Sequence, residues 1–243
     1  MKKRKVCDRQ LWLLAALSLA VFLLTFAVGR YAVRVDKTVC ILLDSALRKL
    51  SRGAWGLAQL WTDTEATIVL NVRLPRILAA ALVGAALSTA GVCYQGMFRN
   101  PMVSPDLLGA STGAGFGAAL AILCAAGYLA ITLSAFFFGL AAVLLAYLIS
   151  RKSRLEEALS MVLAGMMISS LFTAGTSFIK LVADTDNQLP AITYWLMGSL
   201  TSVRAQDVRF AALPILIGLI PLLLLRWRIN LLTLSDAEAR SMG

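Results

Sequence analysis

The sequence predicts an all-α, polytopic bundle of transmembrane helices, about six spans in a single domain over residues 1–243. Three observations lead there. Hydrophobic residues make up 59% of the chain and its mean hydropathy is +0.80, whereas soluble domains hold about 45–50% apolar residues. The apolar residues fall in runs near the ~20 residues that cross ~30 Å of hydrocarbon as a helix. The basic residues sit between those runs and form no stripe interleaved with aromatics. A net charge of +10 and a pI near 9.9 therefore point to membrane-flanking charge, not to nucleic acid.

Lys2, Lys3, Arg4, Lys5 and Arg9 precede the uncharged run Leu11–Gly29, which gives a first span with the amino terminus in the cytoplasm. A cleaved signal peptide is the competing reading, with Ala27-Val28-Gly29 as a crude cleavage site, but the run exceeds the ~7–15 residues of a signal core. Tyr31–Val72 mixes charges with two helix-like pieces, Val39–Leu50 and Ala54–Trp61. It is expected outside, lying on or dipping into the membrane, with Trp55 and Trp61 suited to the interface. Further spans follow at Arg76–Phe98, Leu107–Ala126, Tyr128–Ile149, Ala158–Ile179 and Val208–Leu225. The inner turns then carry Arg99, next Arg151, Lys152 and Arg154, and last Arg226 and Arg228. Between Lys180 and Gln206 lies a second external segment with an amphipathic piece, Tyr194–Leu200.

The most informative stretch is Arg73–Gly117, RLPRILAAALVGAALSTAGVCYQGMFRNPMVSPDLLGASTGAGFG. Two apolar arms flank a turn in which Pro101, Pro105 and Asn100 forbid a continuous helix, so a helical hairpin is expected. Asn100 can bond its own backbone and Asp106 can cap the next helix, which gives Gln95, Arg99 and their neighbours a structural role. Gly84, Ser88 and Gly91 line one arm; Gly109, Gly113 and Gly117 recur every four residues on the other. In lipid such small residues let helix backbones approach, so they are read as packing positions.

Several chemistries lack their residues. The chain has no histidine, which removes most general acid–base schemes and His-ligated haem. Cys7, Cys40, Cys93 and Cys124 are widely spaced and read as small hydrophobes, with no metal site and no catalytic group expected. No charged residue falls in the middle of a predicted span, which disfavours ion-coupled transport. There is no G-x-x-x-x-G-K-[ST] phosphate loop, so no cofactor is expected on this chain and ATP would be held by a partner.

The succession RLPR, G-A-A-L, Q-G-x-F-R-N-P and L-L-G-x-S-x-G, closed by RINLLTLSDAEARSMG, resembles the membrane permeases of the binding-protein-dependent ABC importers for iron-siderophores, haem and cobalamin. The resemblance implies a non-enzymatic permease subunit in a bacterial inner membrane. Its partners would be two ABC ATPase subunits inside, a substrate-binding protein outside and a second permease subunit, in a homo- or heterodimer. It also implies alternating access driven by ATP, with an iron-siderophore as cargo. Arg73 and Arg76, which alone read as interface anchors or a carboxylate-binding fork, would dock the binding protein. Asn230, Leu231, Leu232, Leu234, Ala239, Arg240 and Gly243 would form the coupling segment against the ATPase, with Ser235 and Glu238 as a capping box. The fifth span carries a polar face of Ser160, Ser169, Ser170, Thr173, Thr176 and Ser177 with Met161, Met166 and Met167. Its hydroxyls can bond their own helix; the resemblance implies that Met166, Ser169, Ser170 and Thr173 line the pathway. Such permeases usually carry ten spans, so four more are expected after Gly243. The rival function is a standalone secondary carrier or channel, which would need an intramembrane charge or a discontinuous binding helix.

Overall fold

The computed structural model describes residues 2–27, 29, 31, 33–50, 60–154 and 156–232, and among these it is helical without strands. The helices are α1 (Lys2–Ala27), α2 (Val35–Leu50), α3 (Asp63–Thr67), α4 (Leu74–Met97), α5 (Ala110–Leu123), α6 (Tyr128–Lys152), α7 (Glu157–Val182), α8 (Gln188–Met197), α9 (Ala205–Leu224) and α10 (Arg226–Leu232). A π-helical stretch, Ile68–Arg73, joins α3 to α4, and a 3-10 turn, Pro105–Leu108, precedes α5. Apolar helices lie at all six expected spans. Four have the length and composition to cross a membrane, Asp63–Met97, Tyr128–Lys152, Ala158–Val182 and Ala205–Leu224; the apolar parts Trp12–Phe26 and Ala110–Leu123 are shorter.

Two boundaries differ from the sequence reading. The third span was expected at Leu107–Ala126, but α5 holds only 14 residues, about 21 Å at 1.5 Å per residue. Gly109 at φ 79° and Ala125 at φ 53° put left-handed residues at its two ends, which α-helical backbone does not accommodate. The second span starts far upstream of Arg76. Thr62 and Glu65 form a reciprocal capping box, Glu65 N donating to Thr62 Oγ1 at 3.3 Å and Thr62 N to Glu65 Oε2 at 2.9 Å. The helix begins there and runs 35 residues to Met97. Pro75 lacks an N–H, and in an α-helix its ring would clash with the carbonyl of Asn71. The turn before it is widened instead, and Leu74 N–H bonds Val69 O five residues back, the local adjustment that defines a π turn.

The chain divides into two compact units, one from Met1–Gly84 with Leu200–Ile217, the other from Ala85–Ser199 with Gly218–Gly243. The core of the first gathers Phe26, Val33, Ile41 and Val69, with Phe22, Leu42, Trp61, Leu70 and Ile77 around them. Lys37 Nζ donates to both carboxylate oxygens of Glu65, at 2.8 and 3.0 Å, which ties α2 to the start of α3.

In the second unit α5, α6 and α7 pack on one another. Phe116, Phe138 and Phe172 meet there with ring centroids 5.2–6.4 Å apart, beside the buried Ala142, Ala146, Ala164 and Ile168. Ser134 Oγ donates to Gly117 O at 2.7 Å, and Ser160 Oγ to Ser150 O at 3.0 Å. The short α8 buries Ile192 against Ala119 and Ile179, and Gln188 Nε2 caps the end of α5 at Leu123 O, 3.0 Å away. In the turn before α8, Asp184 accepts from Asn187 Nδ2 at 3.0 Å and from the backbone N–H groups of Asp186 and Asn187. These bonds, the Asn187 side chain first, hold its carboxyl below the usual aspartate range.

Candidate functional site

The RLPR stretch does not present two parallel arginines. Arg73, expected at the exposed rim, is only 8% exposed, and its guanidinium donates to the carbonyls of Phe26 and Tyr31. It closes the carboxyl end of α1, where a cation meets the negative end of the helix dipole and its unpaired carbonyls. Gly29 is the floor of this site: a Cβ there would lie 2.6 Å from Arg73 Nη2. The spacing of three assumed α-helical geometry through Pro75, whereas Arg73 belongs to the π turn. Arg76 is half-buried and donates through Nη2 to Thr201 O at 2.7 Å, while its buried Nε has no hydrogen-bond partner among the described residues. Of the pair, Arg76 is the more exposed.

The glycines separate into distinct roles. A Cβ on Gly113 would come within 2.6 Å of Ala142 Cβ and of Phe138 O, and one on Gly117 within 2.6 Å of Ser134 O. α5 and α6 are therefore in backbone-to-backbone contact. A Cβ on Gly91 would lie 3.6 Å from the Pro105 ring, an ordinary distance. Gly109 supplies the left-handed φ of 79° at the head of α5 and packs against Ser169. At Gly84, also expected in the stripe, a Cβ would meet no heavy atom of the described residues within 4 Å. Spacing identified the stripe, but it does not reveal which face of α4 has a neighbour within this chain.

The turn from Gln95 to Asp106 is held by its own groups. Asn100 Oδ1 accepts from Met102 N at 2.9 Å, and Gln95 Nε2 reaches Val103 O at 3.5 Å. Asp106 accepts from the Ser111 hydroxyl, and Gly109 takes the N-cap position of α5.

On α7, Met166, Ser170 and Thr173 lie on one exposed face with Ser177, as i, i+4, i+7 and i+11 require. Ser170 Oγ donates to Met166 O at 2.9 Å, Thr173 Oγ1 to Ser169 O at 2.7 Å and Ser177 Oγ to Thr173 O at 3.0 Å. The face therefore offers oxygen atoms whose protons are already engaged, next to a flexible thioether. Ser169 stands half-buried at the edge of this face, its Oγ 2.9 Å from where Gly109 would carry a Cβ. Ser160 is buried at 4% exposure and bridges to α6.

At the carboxyl end, α10 follows α9 after a one-residue turn at Leu225 and carries Asn230, Leu231 and Leu232. Leu234, Ala239, Arg240 and Gly243, with the Ser235–Glu238 cap, lie outside the described residues, as does most of the Ala54–Trp61 piece.

Comparison with known proteins gives consistent matches. Residues 16–243 match the FecCD transport family. Over 220 residues the chain is 36% identical to the molybdate import system permease protein MolB of Haemophilus influenzae, covering 90% of this chain and 62% of that protein. Over 176 residues it is 44% identical to the "Probable iron chelatin transport system permease protein" of Helicobacter pylori, covering 72% of this chain and 53% of that one. A solved chain described, provisionally, as an inward-facing metal-chelate type ABC transporter superposes with a TM-score of 0.78 at 33% identity, covering 97% of this chain and 68% of its own. The chain thus spans a little over half the length of the curated relatives it matches. With a family match across residues 16–243 and apolar helices at each expected span, this polypeptide belongs to the FecCD transport family.

Proposed function

We propose that this chain forms part of the membrane-spanning permease of an ABC importer in a bacterial inner membrane, with its amino terminus in the cytoplasm. The observation that carries this reading is the family match over residues 16–243. Energy comes from ATP hydrolysed on separate ATPase subunits, and alternating access moves the cargo. A second permease subunit completes the pathway, and a substrate-binding protein delivers the load from outside. The chain makes no covalent bond. The cargo is an iron chelate; the relatives are named for molybdate, iron chelatin and hemin.

Within this scheme the surfaces divide the work. α10 and the residues through Gly243 receive the motion of the ATPase. The α7 face of Met166, Ser170 and Thr173 gives a wall of low fixed charge, past which a bulky chelate slides without being held. Docking of the binding protein falls to Arg76, while Arg73 holds the end of α1 that frames it.

The test is co-purification. The chain, solubilised with its genomic neighbours expressed, brings down a soluble ATPase, and uptake of a radiolabelled ferric chelate stops when that ATPase is inactivated. Uptake that continues with no nucleotide-hydrolysing companion would instead support a standalone carrier.

A further inference from the structure

Helix α2 is strongly amphipathic, and its broad apolar face is turned outward while most of its charged residues lie on the other side. At 3.6 residues per turn, Val35, Val39, Leu43, Ala46, Leu47 and Leu50 fall in one arc of about 120°. This is the outward face, with Val35 53%, Leu43 52% and Leu50 89% exposed. The inward arc sets polar side chains around Ile41, which is 1% exposed in the core. Thr38 and Asp44 are buried at 2% and 7% exposure, and Lys37 is engaged with Glu65 at 2.8 Å. Asp44 pairs with Arg48 at 2.8 Å. Behind this arc lies a cavity of about 350 Å³ whose walls include Asp44, Ser45, Arg48 and Trp61.

In water, the hydrophobic effect turns the apolar arc inward and the charges outward; in hydrocarbon the preference inverts, because charges must face the protein interior. Rolling α2 over to bury its leucines would break the Lys37–Glu65 pair and expose Asp44. The pair therefore fixes the outward direction of the apolar arc. That arc offers a protein partner almost nothing polar to bond, unlike the mixed surface of most interfaces. Its one charge, Asp36, lies at the amino-terminal end and pairs with Arg34 at 3.1 Å. α2 packs beside α1 and the π turn, whose Leu24 and Val72 are likewise exposed, at 60% and 42%. Arg34 and Arg48 stand at opposite ends with side chains 79% and 53% exposed, as suits side chains that reach toward lipid phosphates. Sixteen residues make a helix of about 24 Å, short of the ~30 Å hydrocarbon core.

We propose that α2 is a membrane-immersed helix that does not span: its Val35–Leu50 apolar arc contacts the acyl chains of one leaflet, while Ile41 and the polar groups beside it face inward. This rests on the membrane reading above, which also makes the leaflet the external one. The experiment places single cysteines at Val39 and at Leu43, in the full chain with Cys7, Cys40, Cys93 and Cys124 replaced by alanine. Each is spin-labelled in vesicles of phosphatidylcholine and phosphatidylglycerol, alongside labels at Leu87 in α4 and at Asp186 in the polar turn. The quantity read is the ratio of collisions with oxygen to collisions with a water-soluble nickel chelate. Labels at Val39 and Leu43 should match the high ratio at Leu87 and exceed that at Asp186. A low ratio at both, with Leu87 high, overturns the proposal and leaves the permease reading standing. Exclusion of both relaxers at Val39 and Leu43 overturns it in favour of a protein cover. A low ratio at Leu87 as well would remove the membrane reading itself. Two labelled positions on one arc keep the result independent of either substitution.

Discussion

α7 and α9 are similarly apolar, with mean hydropathy of 1.7 and 2.0 over their most apolar windows, yet 28% of the α7 window is buried within the chain and none of the α9 window. The difference lies in the small residues. α7 brings Gly165 to within backbone contact of Leu107 and Gly175 against the Phe116 ring, whereas a Cβ on Gly218 of α9 would meet nothing within 4 Å. Hydropathy marks the solvent a helix lives in, while close small-residue contacts mark its neighbour, because lipid supplies no hydrophobic drive between helices.

The sharpest way to break this contrast is Gly165→Leu. Its Cβ alone would lie 2.2 Å from Leu107 O, a clash with backbone, so the bundle should lose about 3 kcal/mol or more, measured by thermal unfolding in detergent. Phe172→Ala should cost about 3 kcal/mol by emptying the centre of the aromatic cluster; an unchanged melting temperature would mean that the three rings carry no stability. Arg73→Gln should cost about 2 kcal/mol, the range for hydrogen bonds from a charged group. If the same variant instead folds normally and only binding-protein affinity falls, then Arg73 is a docking residue after all. Gly84→Leu and Gly218→Leu should each stay within about 0.5 kcal/mol of the parent chain, and a loss like that of Gly165→Leu would dissolve the contrast. The smallest effect concerns acid. Asp184 has its folded pKa lowered, so its contribution is complete above the ordinary aspartate range and is lost as pH falls through the lowered folded value. The protection factor of the Asn187 amide, which corrects for the intrinsic exchange rate, should fall only in that acid window, and Asp184→Ala should remove that fall.

The number and place of the apolar helices were legible because hydropathy and prolines are local signals. So was the Asn100 turn, whose side chain bonds backbone two residues on. The inward turn of Arg73 was not. It depends on Pro75 widening the preceding turn, and an i, i+3 argument silently assumes α geometry on both sides. The early start of the second span was legible but unread: Thr62-Asp-Thr-Glu65 is a capping box, hidden among charges that looked like loop. The candidate pathway was readable as a polar face of α7, but the place of Ser169 depends on Gly109, sixty positions earlier and on another helix.

The widened turn at Ile68–Arg73 has a further consequence for α3 and α4. A π turn holds one residue more than the α-helix would need over the same rotation, so the two stretches of one rod keep their angular phase around it. Adding a second residue there would swing Glu65 by roughly 100° about the axis, out of reach of the Lys37 ammonium, whereas deleting one would restore regular winding and leave it in place. Single-residue insertions between Thr67 and Leu74 would therefore act as rotations, and a single deletion at the same places would not.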